Sequence, residues 1–137
     1  MGSAPKNKNL IKTESGNLVR SYAEAVIDNW LFDGAWCYTY EPKIEIAGVV
    51  YTPDWVLMPQ RGIDKPVVIE YWGLLRKGGA KWVQKRLPKY LSKKEEKESA
   101  YMESENYYFV GIVPQDLPEL ETIFREKLAE LVPHEES

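Results

Sequence analysis

An α/β domain, with a central mixed sheet flanked by helices in the order αβββαβα, is what this sequence predicts. Three observations carry it. Apolar residues recur at helical spacing over 17–32, 80–104 and 119–131. Short runs rich in β-branched and aromatic residues fill the space between the first two of these segments. Tyr107-Tyr108-Phe109-Val110-Gly111-Ile112-Val113 is a near-continuous apolar run, the composition of a buried central strand. A meander followed by a helical crossover to a further strand gives a mixed sheet with helices over both faces.

At 137 residues there is room for one real core. Residues 1–16 read as a loose polar leader, 17–132 as the domain and 133–137 as a tail. No apolar run approaches a membrane span and no signal-peptide pattern is present, so no membrane partner is expected. Cys37 is the one cysteine and His134 the one histidine, which excludes a disulfide framework and a Cys/His zinc site within one chain. Cys-His and Ser-His-Asp catalysis are disfavoured too, because His134 follows Pro133 in the polar tail. The cytoplasm is the default compartment.

In chain order, the first helix runs from Asn17 to Phe32, capped by Ser15 or Asn17 and ended by Asp33-Gly34. Its stripe is Val19, Tyr22, Ala23, Val26, Ile27 and Trp30, with Glu24 and Asp28 off it. Glu24 lies near the stripe's border, because Leu31 widens the apolar face on that side. Residues 35–41 form a strand closed by Pro42. The stretch 43–50 alternates, and Ala47-Gly48 makes a turn or bulge. Strands follow at 53–58 and 67–72. The long helix from Ala80 to about Ser104 contains Pro88, which kinks or splits it. Pro114 to Pro118 is a loop, and the last helix spans Glu119 to Leu131.

The most informative stretch is the pair of strands around Pro59-Gln60-Arg61-Gly62-Ile63-Asp64-Lys65-Pro66. Pro at each edge and Gly inside make this a strand connection. Asp54 and Glu70 are equidistant from Gly62, so an antiparallel hairpin brings them close to opposite one another. Two carboxylates facing each other in apolar strands repel unless something positive lies between them. A hard divalent cation is the economical answer. The plainer alternative has both acids facing solvent. Replacing either acid with alanine is therefore expected to raise stability in metal-free buffer.

The net charge of −3 hides a local asymmetry. Arg76, Lys77, Lys81, Lys85, Arg86, Lys89, Lys93, Lys94 and Lys97 lie between Trp72 and Lys97 against only Glu95 and Glu96. That is half of the chain's 18 Lys and Arg, the electrostatic footprint expected of a phosphate binder. A solvated helix face is the commoner cause of any single charge run. On the long helix, Tyr90, Lys94, Lys97 and Tyr101 fall at i, i+4, i+7 and i+11, so aromatic and lysine side chains share one face. Lysine stems covering apolar surface account for part of this. The tryptophans read as core, with Trp72 and Trp82 the two candidates for base stacking.

These residues in this order resemble the PD-(D/E)xK nuclease superfamily, the restriction-endonuclease-like fold. The nearest likeness is to nuclease modules associated with superfamily 1 helicases. The strings are Ser21-x-x-Glu24, Tyr38-x-Tyr40-Glu41-Pro42, Pro53-Asp54-Trp55, Ile69-Glu70-Tyr71-Trp72-Gly73 and Lys97-x-x-x-Tyr101. The likeness covers roughly Val19 to Leu117. It departs at Trp72, where the standard motif has lysine; the resembling subgroup carries that lysine on the following helix, at the place of Lys97.

The resemblance implies metal-dependent hydrolysis of DNA phosphodiester bonds, in repair, recombination or defence. Asp54, Glu70 and the Tyr71 carbonyl would bind Mg²⁺ or Mn²⁺. Lys97, with Lys94 as substitute, would serve the attacking water or the phosphate. Glu24 resembles a first-helix acid that holds metal-bound water or a second ion. The basic residues from Arg76 to Lys93 would contact DNA. A homodimer and a separately encoded helicase are the partners this kinship suggests. The competing reading is a catalytically inactive DNA-binding or protein-interaction module of the same fold, which the departure at Trp72 favours.

Overall fold

The computed structural model describes residues 10–73 and 81–133, the side chains of 81–86 excepted. Among these, no helix is long and apolar enough to cross a membrane. The chain divides into two compact units, Met1–Trp36 and Cys37–Ser137.

In the first unit, β1 (Ile11–Lys12) pairs antiparallel with β2 (Leu18–Val19), and α1 (Tyr22–Asp33) follows. Residues 10–16, expected in a loose leader, are thus built into a small hairpin. The helix starts five residues later than its periodicity suggested. Ser21 is its N-cap, in extended backbone, and its hydroxyl accepts the Glu24 amide at 3.1 Å. The string Ser21-x-x-Glu24 therefore has a structural explanation of its own.

Thr13, Ser15 and Asn17 have another use. The Thr13 and Ser15 hydroxyls each donate to Asp28 Oδ1 at 2.7 Å, and Asn17 Nδ2 donates to Oδ2 at 3.0 Å. Asp28 is fully buried beside Ala25, Ile27 and Leu31 in the sequence of buried α1 positions, whereas Tyr22 is 79% exposed. The buried stripe is thus rotated from the expected one. Three neutral donors from the β1–β2 turn make an acid acceptable where an apolar residue was expected.

The second unit is α/β with a mixed central sheet. Its strands β3 (Tyr38–Tyr40), β6 (Trp55–Leu57), β7 (Val67–Tyr71) and β8 (Tyr108–Ile112) lie in the order β3-β6-β7-β8. The first two pairings are antiparallel and β7–β8 is parallel. Between β3 and β6 the chain makes a separate hairpin, β4 (Ile44–Ile46) with β5 (Val49–Tyr51), closed at Ala47-Gly48. Ile44, Ile46 and Tyr51 of that hairpin pack on a cluster of Val56, Val68 and Tyr101.

The β6–β7 loop is tight. Arg61 and Gly62 have φ of 53° and 82°, and a bridge joins Gln60 to Ile63. Two consecutive positive φ values make the turn that suits strand twist, and glycine takes the second without steric cost. Gln60 also latches this loop to the start of β3: its side chain accepts the Cys37 amide at 2.9 Å and donates to the carbonyls of Cys37 and Met58.

The crossover helix α2 (Lys81–Glu103) runs as one element through Pro88, so of the kink or split expected there the split does not occur. After β8 a 3-10 turn (Pro114–Glu119) leads into α3 (Leu120–Leu131), whose buried residues are Leu120, Phe124 and Leu128. Both α2 and α3 contact β8.

Because Asp28 satisfies three donors, Asp28→Ala should strand all of them and lower stability by about 2–4 kcal/mol, read by urea denaturation. Asp28→Asn, which keeps one acceptor oxygen for the Thr13 and Ser15 hydroxyls but sets an NH2 against Asn17, should lose less.

Candidate active site

The β6–β7 register is Trp55↔Ile69, Val56↔Val68 and Leu57↔Val67. The next pair outward is Asp54 and Glu70, the opposition read from their equal distance to Gly62. Opposed residues share a face, so the acids and the Val56–Val68 pair lie on one side of the sheet. Asp54 is held at both backbone and side chain: its carbonyl accepts the Glu41 amide, and Oδ2 accepts the Tyr71 amide, each at 2.8 Å.

Glu70 is 2% exposed, in a strand whose neighbours Val67, Val68 and Ile69 are buried. Burial pushes its carboxyl above the ordinary value of 4.5; Lys97 and hydrogen bonds from Tyr101 and Asp54 oppose that rise. The Tyr101 hydroxyl donates to Oε2 at 2.8 Å, and Lys97 Nζ lies 3.7 Å from the same oxygen. Tyr101 is fully buried, stacked on Phe109 with centroids 5.4 Å apart and edge-on to Tyr51 at 5.7 Å. Burial and the Glu70 carboxylate push its hydroxyl far above the usual range, so it stays protonated and can only donate.

The four-residue face of α2 spans this side of the sheet. Tyr90 meets Trp72 edge-on at 6.1 Å, and Lys94 Nζ sits 5.5 Å over the Trp72 ring. Lys97 and Tyr101 reach Glu70. Lys94 is paired with Glu98 at 2.9 Å, so of the two candidate lysines the structure brings Lys97 to the acids. Trp72 is 6% exposed beneath this face, which agrees with the reading of the tryptophans as core and removes it as a candidate for base stacking. Its Nε1 is buried and has no hydrogen-bond partner among the described residues. Gly111, opposite Glu70 in β8, makes room: a Cβ there would stand 3.1 Å from Trp72 Nε1 and 3.3 Å from Phe109 Cζ.

Other expected residues fall elsewhere. Glu24 is on the first turn of α1 in the first unit, where its Oε1 lies 3.5 Å from the Arg20 amide. Lys89 and Lys93 are exposed on α2. Arg76 and Lys77, and the side chains of Lys81, Trp82, Lys85 and Arg86, lie outside the described residues. Among the described residues no three His, Cys, Asp or Glu side chains gather as a metal cluster. A concavity of about 500 Å³ between the β4–β5 hairpin and the end of α2 is lined by Ile46, Tyr51, Ala100 and Asn106 and includes neither acid.

Sequence reasoning missed three supports of this arrangement. Helical spacing puts Tyr101 on the face of Lys94 and Lys97 but gives it no part in the site, where its hydroxyl holds Glu70. Gln60 and Gly111 act through contacts remote in sequence, which no local pattern reports. Set against known proteins, the chain matches no family model, and no curated protein matches it.

The Tyr101 bond changes what alanine at position 70 does, because it would leave a buried hydroxyl without its acceptor. Glu70→Gln should raise the melting temperature at pH 7 in EDTA, while Glu70→Ala should gain less or lose. The native state holds the Glu70 proton to higher pH than the unfolded chain does. Its contribution is therefore fully present below 4.5 and lost as pH rises through the raised native value. Melting curves against pH should show this loss in the unsubstituted protein and not in Glu70→Gln.

Proposed function

We propose that the chain is a divalent-metal-dependent deoxyribonuclease with a restriction-endonuclease-like fold. The observation that carries this reading is the opposition of Asp54 to a buried Glu70 that has Lys97 within 3.7 Å. Charged groups held in apolar surroundings are costly, and such constellations concentrate where chemistry is done. The order α1, β3, β6, β7, α2, β8, α3, with β4–β5 set aside as an inserted hairpin, supports the fold assignment.

Two carboxylates are a hard-oxygen donor set that fits Mg²⁺ or Mn²⁺, since Mg²⁺ is commonly held by one or two carboxylates, substrate phosphate and water. Asp54 and Glu70, with the Tyr71 carbonyl, would hold the ion. When bound, such a cation polarises the phosphoryl oxygen and lowers the pKa of the attacking water. Tyr101 fixes the carboxylate of Glu70 by its bond to Oε2. Lys97 offers its ammonium to the charge that develops on the scissile phosphate. Lys89 and Lys93, with the basic residues before them in sequence, neutralise flanking phosphates. Glu24 enters this scheme through the family resemblance alone.

A second reading is favoured by one observation. Trp72 fills the slot of the standard lysine and is packed beneath α2, as a fold kept for binding without turnover would show. Turnover separates the two.

Labelled supercoiled, linear, single-stranded, flap and four-way-junction DNAs, incubated with Mg²⁺, Mn²⁺ or EDTA, test the proposal. Cleavage should require the metal, vanish in Asp54→Ala and fall roughly 10²–10³-fold in Lys97→Ala. Lys89→Ala and Lys93→Ala should each reduce the salt slope of DNA affinity by about one unit. Salt-sensitive binding without cutting on any DNA selects the inactive module.

A further inference from the structure

The two groups that α2 places on Glu70 Oε2 are held very differently. Tyr101 is fully buried, wedged between Phe109 and Tyr51, and donates at 2.8 Å. Lys97 stands off at 3.7 Å, and its side chain is 33% exposed against 3% for Glu70. At that separation the attraction is mainly charge on charge rather than a good hydrogen bond. A four-carbon stem reaching from a helix surface can swing its ammonium into solvent at small cost. The carboxylate cannot follow, because Tyr101 anchors it. The neighbouring Lys94 is committed to Glu98 and the Trp72 ring.

We infer that Lys97 is a displaceable counter-ion of Glu70, balancing the buried carboxylate until a divalent cation takes that role and frees the ammonium for the phosphate. The inference rests on the hydrolase reading for the identity of the cation. Its charge logic is simple. Asp54, Glu70 and Lys97, all ionised, leave one negative charge over. A divalent cation added to them leaves one positive charge, and it repels the ammonium from Oε2. The site then attracts an anion where before it would have repelled one. The cation therefore precedes the phosphate, and Lys97 changes partner between the two events.

This exchange predicts an effect on metal affinity that a lysine acting only on phosphate would not have. Mn²⁺ binding to the full chain, followed by electron paramagnetic resonance at low salt without DNA, reads it directly. Lys97→Met and Lys97→Gln should each bind Mn²⁺ roughly tenfold more tightly than the unsubstituted chain, because the competing charge is gone. Exposed Lys93→Met should leave that affinity within about twofold. In EDTA the Lys97 variants should melt below Lys93→Met, and Mn²⁺ should close the gap. Lys97 variants that bind Mn²⁺ no more tightly overturn the exchange and leave the hydrolase reading standing. An unsubstituted chain that binds no Mn²⁺ overturns both.

Discussion

Glu70 is a carboxylate placed where the chain otherwise buries valine and isoleucine, and much of the second unit is arranged to make that tolerable. Taking such a charge out of water costs several kcal/mol after relaxation. A buried tyrosine hydroxyl, a lysine and a neighbouring acid meet this cost in part, yet the carboxyl still holds its proton above the ordinary range. The remainder is kept in place by packing. Tyr101 is positioned by Phe109 and by Tyr51 of the β4–β5 hairpin, so the hairpin contributes to the orientation of Glu70 through Tyr101.

Helix α2 joins packing and polarity in one stripe. Its first contacts on β7 are aromatic and cationic over Trp72, and its last are cationic and aromatic on Glu70. Trp72, just past β7, fills the space beneath α2 next to Glu70. With the indole filling that space, the one amine at Glu70 among the described residues comes from the helix above. The side chain of Gly111 is absent for the same reason, since the indole takes the volume a Cβ would need.

The sheet and the opposed acids were legible because both follow from local periodicity. The β6–β7 pairing could be counted from the turn, and the α2 face from helical spacing. The first helix was misread for a physical reason. Asp28 is buried on hydroxyl and amide donors of a turn eleven to fifteen residues earlier, and a hydropathy pattern assigns an acid to the surface regardless of such partners. The tertiary role of Thr13, Ser15 and Asn17 also masked the true cap at Ser21. The β4–β5 stretch was seen as alternating residues, but nothing in that alternation said it would leave the main sheet. The pairing of Lys94 with Glu98 was readable at i, i+4, and it leaves Lys97 as the lysine at Glu70.

The turn between β6 and β7 holds the acids together by an odd residue. Three steps of chain lead from Leu57 to Gln60, but four lead from Ile63 to Val67. In unbroken register from the Gln60–Ile63 bridge the ladder would set Asp54 across from Ile69, with Glu70 on the other face; the extra residue, bulged out of the second arm, shifts the pairing by one. The bulge, together with the turn at Arg61 and Gly62, thus sets which residue Asp54 faces. A residue removed between Ile63 and Val67 would take out the bulge and leave Asp54 facing Glu70, so the loop can lose one residue there where a strand cannot.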